Sequence, residues 1–322
     1  MSLNKESILI TGSSGFIGTT ALKELKLRKY PVRSLVVSHK TSKGSLSKEI
    51  YYENLDSSEA WRDALDGIEC IIHLAGKAHF DEQSESSEDL IKELRKANID
   101  LTNNLAKKAA LHGVKRFIYI SSIKVNGEKT TKVPFSEEDE PNPKDNYGVS
   151  KYEAEKLLMG ISKQAGMEIV IIRPPLVYGP GVKANFLRLI KLVDTRIPLP
   201  FLFVKNKRSY ISIDNLIDFI ILCIKHPRAA NETFLISDGE NLSTRSLVNL
   251  ISQSLGKHSL LLPLPVWAMK FFGKLFGKKK EIDKLCDSLE VDISKAINLL
   301  SWVPKEDISR SIKEAVKYYQ EN

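Results

Sequence analysis

The tightest constraint on this chain is the run Thr11-Gly12-Ser13-Ser14-Gly15-Phe16-Ile17-Gly18. Its glycines recur every third residue, directly after the apolar run Ile8-Leu9-Ile10. The segment that follows carries Ile17, Ala21, Leu22 and Leu25 at helical spacing. A strand, a glycine turn and a helix in that order open a βαβ unit. In such a unit Gly12 permits the tight turn, Gly15 lets backbone approach a pyrophosphate, and Gly18 lets the helix pack on the strand. Free N–H groups and the helix dipole at the helix start then hold phosphate oxygens. A glycine triplet alone is weak evidence; in this context it points to dinucleotide binding.

The alternation continues through the first half. Strands are expected over 7–11, 32–37, 50–52, 70–75, 116–121 and 168–173, with helices over 57–65, 90–112 and from about 147. Strands alternating with helices imply parallel βαβ units and a doubly wound α/β sheet. After Arg173 the rhythm breaks at Pro174-Pro175, Gly179-Pro180-Gly181, Pro198 and Pro200, read as irregular connections. A helix over 213–225 and a strand over 232–236 return to the sheet. The expected division is a dinucleotide-binding domain, 1–173 with 207–236 returning to it, and a smaller C-terminal domain from 174–206 and 237–322.

Charge and cysteine content narrow the partners. Lys plus Arg total 48 against 40 acids, a net +8, which suits a phosphate-bearing ligand. No aromatic-interleaved basic stripe or helix-turn-helix pattern accompanies the excess, so nucleic acid is not an expected partner. The acidic stretch 81–93 reads as a solvated loop and helix start. Cys70, Cys223 and Cys286 lie far apart with no CxxC, so neither a metal site nor a disulfide is expected, and a reducing compartment fits. Ile8-Leu9-Ile10 is too short for a secretory core, which makes the expected location cytoplasmic. The apolar stretch 260–277, followed by Lys278-Lys279-Lys280, is too short and too proline-interrupted to span a bilayer. It is expected to pack on the C-terminal domain or a partner subunit. Weak peripheral membrane contact through 260–280 is the alternative.

Two further features bear on chemistry. After the second strand the chain reads Val36-Val37-Ser38-His39-Lys40, with no carboxylate for a ribose 2′-hydroxyl. Ser38, His39 and Lys40 could meet a 2′-phosphate, or form an ordinary polar loop, so NADP(H) or NAD(H) remains open. Asp56 is an adenine-side candidate or simply the N-cap of the helix over 57–65. Tyr147-Gly148-Val149-Ser150-Lys151 sets a phenol and an ammonium four residues apart on one helix face. A nearby cation favours phenolate, so this pair can serve as an acid/base.

The motifs TGSSGFIG, HLAG (73–76), SSIKVNG (121–127), YGVSK (147–151), RPPLVYGPG (173–181), RSYISIDNL (208–216) and LSWVP (300–304) occur in an order spanning nearly the whole chain. Together they resemble the extended short-chain dehydrogenase/reductase family, especially its nucleotide-sugar epimerases and reductases. The resemblance implies a doubly wound parallel Rossmann sheet with a smaller C-terminal substrate-binding domain. It implies Ser122 as hydrogen-bond donor to the reacting oxygen, Tyr147 as acid/base, Lys151 as its tuner and ribose ligand, and Asn98 as a structural and proton-relay residue. Cofactor contacts implied with these are Gly12, Ser14, Gly15, Phe16, Ile17 and Gly18 in the loop. Leu55 joins Asp56, then Leu74, Ala75 and Gly76 follow, and finally Pro174. His73 is expected to pack rather than react. Implied substrate contacts are Lys77, Lys124, Asn185, Arg208 and, where relatives carry an arginine, Lys284. A homodimer is compatible with the resemblance.

Departures from the family's patterns prune the reaction. Sugar 4,6-dehydratases follow the serine with Asp-Glu, and 3,5-epimerase/reductases place a cysteine beside it; Ile123-Lys124 stands here instead. Hydride transfer at C4 of a UDP-hexose or UDP-N-acetylhexosamine remains. Reduction of a UDP-4-keto sugar, in surface polysaccharide precursor synthesis, is favoured narrowly over 4-epimerisation of UDP-glucose or UDP-N-acetylglucosamine. A non-catalytic cofactor-binding sensor or scaffold is a distant third, opposed by the intact Ser122, Tyr147 and Lys151.

Overall fold

Strand β1 (Ile8–Thr11) is inaccessible on both faces, as a central strand of a parallel sheet requires. In the computed structural model, which describes residues 7–36, 48–52, 57–78 and 87–322, β1 is followed by α1 (Phe16–Leu27), β2 (Val32–Val36) and β3 (Lys48–Tyr51). Next come α2 (Ser58–Leu65), β4 (Cys70–His73) and a long helical rod. That rod runs α3 (Ser87–Leu94), a π-helical segment (Arg95–Asp100) and α4 (Leu101–Leu111). β5 (Arg116–Ile120), α5 (Asn146–Ala165) and β6 (Glu168–Arg173) complete the alternating half.

The remaining elements are β7 (Leu176–Tyr178), α6 (Ala184–Asp194), β8 (Arg208–Ser212), α7 (Ile213–Lys225), β9 (Thr233–Leu235), β10 (Asn241–Leu242) and α8 (Thr244–Ser254). Four helices close the chain: α9 (Val266–Leu275), α10 (Lys279–Cys286), α11 (Ser294–Leu300) and α12 (Ile308–Glu321). Among the described residues no helix is long and apolar enough to cross a membrane.

Seven strands form one parallel sheet in the order β3-β2-β1-β4-β5-β6-β9. β1 has β2 on one side and β4 on the other, with Ile8 in register with both Val32 and Cys70. The chain therefore reverses its winding between β1 and β4. Ligands of open α/β sheets bind outside the carboxyl ends of the strands at such a point. Strand alternation splits the core accordingly. Ile8 and Ile10 pack with Ala21, Leu25, Phe219 and Trp302 on one face, and Leu9 packs with Trp61, Leu105, Ala154 and Leu158 on the other.

A second sheet, β10-β8-β7, organises a separate core containing Tyr178, Phe186, Ile190, Tyr210, Val248 and Val316. Strand β7 was not expected, because three residues between Pro174-Pro175 and Gly179 leave no readable period. It pairs parallel with β8, Leu176 opposite Tyr210. The loop after β5 also reaches the C-terminal segment: Thr130 N donates to Ser288 O, and Phe135 N to Glu290 O, both at 2.8 Å. Ser209 N donates to Leu289 O at 2.8 Å, so β8 and this loop flank one segment.

Two local expectations change. Ser57, not Asp56, caps α2, its hydroxyl accepting from Ala60 N at 3.1 Å. Position 56 lies outside the described residues. The helix expected over 90–112 is not uniform, because its middle turn is a π-helix.

Candidate active site

The glycine loop closes tightly on the switch point. Gly12 has φ +69°, and a Cβ there would lie 2.7 Å from Ala75 N. A Cβ at Gly18 would lie 2.0 Å from the Gly12 carbonyl oxygen. Both positions therefore demand glycine. Gly15 starts α1 without a side-chain cap, and Ser14 and Gly15 are exposed. The first-turn N–H groups of α1 thus face outward at the positive end of the helix dipole, a cradle that fits a pyrophosphate. Phe16 and Ile17, partly buried behind the cradle, pack against the core.

Directly behind this loop runs a directional chain of hydrogen bonds. Thr11 Oγ1 accepts from Leu74 N at 3.2 Å and Ala75 N at 3.1 Å. Its single proton therefore goes to His73 Nδ1, 2.8 Å away. The neutral ring then carries its proton on Nε2 and donates to Thr102 Oγ1 at 2.8 Å. Thr102 donates in turn to Asn98 O at 2.8 Å. Burial, reinforced by the Lys151 charge, pushes His73 down to about 3. The expectation that His73 packs rather than reacts fits this geometry, with a defined tautomer besides.

Asn98 sits in the π-helical segment and is wholly buried. Its Oδ1 accepts from Lys77 N at 2.8 Å. Its Nδ2 donates to Lys77 O at 3.1 Å and to Ser150 Oγ at 2.9 Å. Ser150 donates to Tyr147 O at 2.8 Å, so Asn98 joins the loop after β4 to the first turn of α5. A Cβ at Gly76 would come within 2.9 Å of Asn98 Oδ1 and 3.3 Å of Lys151 Nζ. Gly76, Asn98 and Lys151 therefore lie side by side.

Ser122 leads the short turn Ile123–Val125, where its Oγ accepts from Lys124 N at 3.3 Å. Pro174 O receives Ile123 N at 3.0 Å and steadies the same turn. Helix α5 is capped by Asp145, whose carboxylate accepts Gly148 N at 2.7 Å and pairs with Lys124. A Cβ at Gly148 would lie 2.9 Å from Lys124 O, which explains the glycine after Tyr147. Burial pushes the Tyr147 phenol upward, and the Asp145 carboxylate adds to it; a hydrogen bond with the Ser122 side chain opposes both. Lys151 Nζ donates to Ile120 O at 2.9 Å and lies 4.6 Å from the Tyr119 ring centroid and 6.0 Å from that of Tyr147. Burial lowers Lys151 to about 8, against the pull of Glu155. A hydroxyl, a protonated phenol and a titratable ammonium thus converge where sheet ligands bind.

The other candidates divide. Lys124 Nζ lies 5.9 Å from the Tyr147 ring centroid. The Lys77 side chain turns to Glu93. Arg208 Nη1 donates to Asp287 O at 3.0 Å, on the segment shared with the loop after β5. Asn185 and Lys284 are exposed on α6 and α10, and no hydrogen bond or ion pair engages their side chains among the described residues. Ser38, His39, Lys40, Leu55 and Asp56 lie outside the described residues. Sequence reading missed Tyr119, which floors Lys151, and Ser150, which sits inside the YGVSK motif and could have been noticed there. It also missed Ser121, whose buried hydroxyl has no hydrogen-bond partner among the described residues.

The cradle, the close-packed glycines and that buried hydroxyl fit a nicotinamide dinucleotide. Residues 8–237 match the family described as NAD dependent epimerase/dehydratase family. The chain is 44% identical over 318 residues to a UDP-glucose 4-epimerase of Vibrio cholerae, covering 98% of this chain and 95% of that protein. It is 26% identical to an N-acetyl-alpha-D-glucosaminyl-diphospho-ditrans,octacis-undecaprenol 4-epimerase of Escherichia coli O157:H7, over 97% of this chain and 95% of the other. The fold matches the crystal structure of a UDP-glucuronic acid 4-epimerase from Bacillus cereus with NAD, at TM-score 0.76 and 23% identity, covering 98% and 99% of the two chains. Matched by that family model over residues 8–237 and 44% identical to the Vibrio cholerae relative over nearly its full length, the chain belongs to the NAD-dependent epimerase/dehydratase family.

Proposed function

We propose that this protein inverts C4 of a UDP-hexose or UDP-N-acetylhexosamine. The observation that carries the reading is the 44% identity, over nearly the full chain, to a protein named UDP-glucose 4-epimerase. The second relative above is also named a 4-epimerase. Net reduction of a 4-keto sugar, favoured narrowly by the sequence alone, rested in part on the missing carboxylate after Val37, and it becomes the second reading.

Bound NAD supplies a hydride acceptor that can return the same hydride. Ser122 holds the C4 oxygen by a hydrogen bond, and Tyr147 takes the hydroxyl proton as the C4–H bond gives up its electron pair. Lys151, cationic below about pH 8, favours the tyrosinate this step needs and binds the ribose. Turning the 4-keto sugar presents its other face for hydride return, and Tyr147 gives the proton back. Lys124 and Arg208 are the proposed contacts to the diphosphate side, with Asn185 and Lys284 as outer members. Arg208 suits the task because its planar fork binds phosphate at two points.

The test is a pair of incubations. Purified protein with UDP-glucose or UDP-N-acetylglucosamine and no added cofactor should accumulate the C4 epimer over many turnovers. A UDP-4-keto sugar with NADPH should give no sustained cofactor oxidation. Stoichiometric oxidation in the second tube, without inversion in the first, would establish the reductase instead.

A further inference from the structure

Helix α9 buries only a narrow face. Ala268, Met269 and Gly273 are covered, and a Cβ at Gly273 would lie 2.7 Å from Ile282 Cγ1, so α9 and α10 pack closely. The expected packing on the C-terminal domain holds for that stripe and for Leu261, Leu264 and Val266, which pack against the core around Tyr178 and Phe186. Around the rest of the helix Trp267 is 72% exposed, Phe271 61%, Leu275 65% and Phe276 71%. Phe272 is also exposed and bridges its neighbours, with ring centroids 5.7 Å from Phe271 and 6.5 Å from Phe276. Bulky apolar side chains so concentrated on one short helix mark an interaction surface.

The charges around this patch indicate what covers it. Lys274, Lys278 and Lys279 are exposed beside the rings, and Glu281 follows them. Lys270 is committed to Asp283 and Asp287. Protein interfaces are depleted in lysine, whereas aromatic rings beside lysines are the composition of helices lying in a membrane interface. There the rings sit at headgroup depth and the ammonium groups meet lipid phosphates. Ten residues of helix cannot span a bilayer, so the contact is peripheral.

We propose that α9 and the lysines behind it form a docking surface for an anionic phospholipid bilayer. The surface stands close to the nucleotide-sugar side of the molecule. Lys270 pairs with Asp287, whose carbonyl receives Arg208. The proposal does not depend on which C4 reaction the protein performs.

Trp267 provides the readout, because Trp61 and Trp302 are buried. The full-length protein is mixed with phosphatidylcholine vesicles, with and without phosphatidylglycerol. Tryptophan emission should shift to the blue and the protein should sediment with the anionic vesicles, at least about tenfold more than with neutral ones. High salt should release it, since screening weakens the polybasic attraction. Trp267→Phe should abolish the shift. The triple variant Lys274→Ser, Lys278→Ser, Lys279→Ser should lose roughly tenfold or more of the sedimentation, and because all three positions are exposed its melting temperature should hold. Absence of binding by the wild type, or full binding by the triple variant, would overturn the proposal. So would a lipid-free dimer that Phe271→Glu with Phe276→Glu splits into folded monomers while vesicles leave the emission unchanged; a second copy would then be the occupant.

Discussion

Glu155 and Arg173 meet through two parallel hydrogen bonds, Nε to Oε1 at 3.0 Å and Nη2 to Oε2 at 2.6 Å, with both side chains buried. The third arm of the guanidinium donates to Asn126 Oδ1 at 2.9 Å. Glu155 stands one helical turn beyond Lys151 and supports its charge against burial. The pair thus connects the end of β6 to the electrostatics of the candidate site.

Lys151, lowered to about 8, is cationic below that pH and neutral above it. The rate at low substrate should fall as pH rises through about 8, with the slope of a single proton. Stability should respond in the opposite sense. An unfolded lysine titrates at the model value of 10.5, so between about 8 and 10.5 the unfolded chain binds the extra proton. In that window this group makes the fold more stable as pH rises. A pH–rate profile of kcat/KM and melting curves across the same range check both signs.

Glu155→Gln removes the carboxylate that holds Lys151 up and leaves Arg173 without its counter-charge. Both changes disfavour the ammonium, so the alkaline limb of the rate profile should move below about pH 8. Breaking a buried pair from one side should also cost about 3–5 kcal/mol of folding stability, read by chemical denaturation. An unmoved limb in a folded variant would separate the pair from the site.

Tyr147→Phe removes the phenolic hydroxyl but leaves the ring and nearly all its packing volume. Fold and cofactor binding should persist, while turnover drops by roughly 10²–10⁴, the usual share of a positioned acid/base. Cofactor titration alongside single-substrate kinetics makes the distinction.

His73 should report as an acid-sensitive element of stability. Its folded value of about 3 lies below the unfolded 6.5, so the unfolded chain takes up the proton between those values. Stability from this group is complete above about pH 6.5 and is lost as pH falls toward 3, by roughly 3–5 kcal/mol in total. In His73→Gln the acid limb of a denaturation series should flatten. An unchanged limb would mean that other groups govern it.

The segment after β2 contains no acid before residue 49, which predicts tolerance of a ribose 2′-phosphate. NADPH should bind at least as well as NADH, and Lys40→Ala should weaken NADPH selectively, by about tenfold, the size of one lost charged contact. Fluorescence titration of the two nucleotides measures the ratio.

Residues that act through short sequence spacing were legible in advance. The glycine loop, Tyr147 with Lys151, β6 over Glu168–Arg173 and α7 over Ile213–Lys225 all lie where their local patterns put them. Partnerships across long stretches of chain were not. Nothing local announces that Thr11 orients His73, that Tyr119 lies beneath Lys151, or that Asn98 reaches Ser150, because each joins elements far apart in sequence that only the assembled fold brings side by side. The stretch 260–277 was legible only in part. Leu261, Leu264, Val266 and Met269 do pack on the core, while Trp267, Phe271, Leu275 and Phe276 are left exposed among the described residues.

The π-helical turn at Arg95–Asp100 carries a consequence for how this protein can change. A π-turn holds one residue more than an α-turn, so the rod before it and the rod after it are out of phase by about 100°. That offset lets Leu105 and Ala109 keep their stripe on the sheet while Asn98 points at Lys77 and Ser150. Excising a single residue there would yield a straighter, better hydrogen-bonded helix and rotate Asn98 away from both partners. The length of this rod is therefore a structural constraint separate from its composition, and a substitution scan that preserves length would never reveal it.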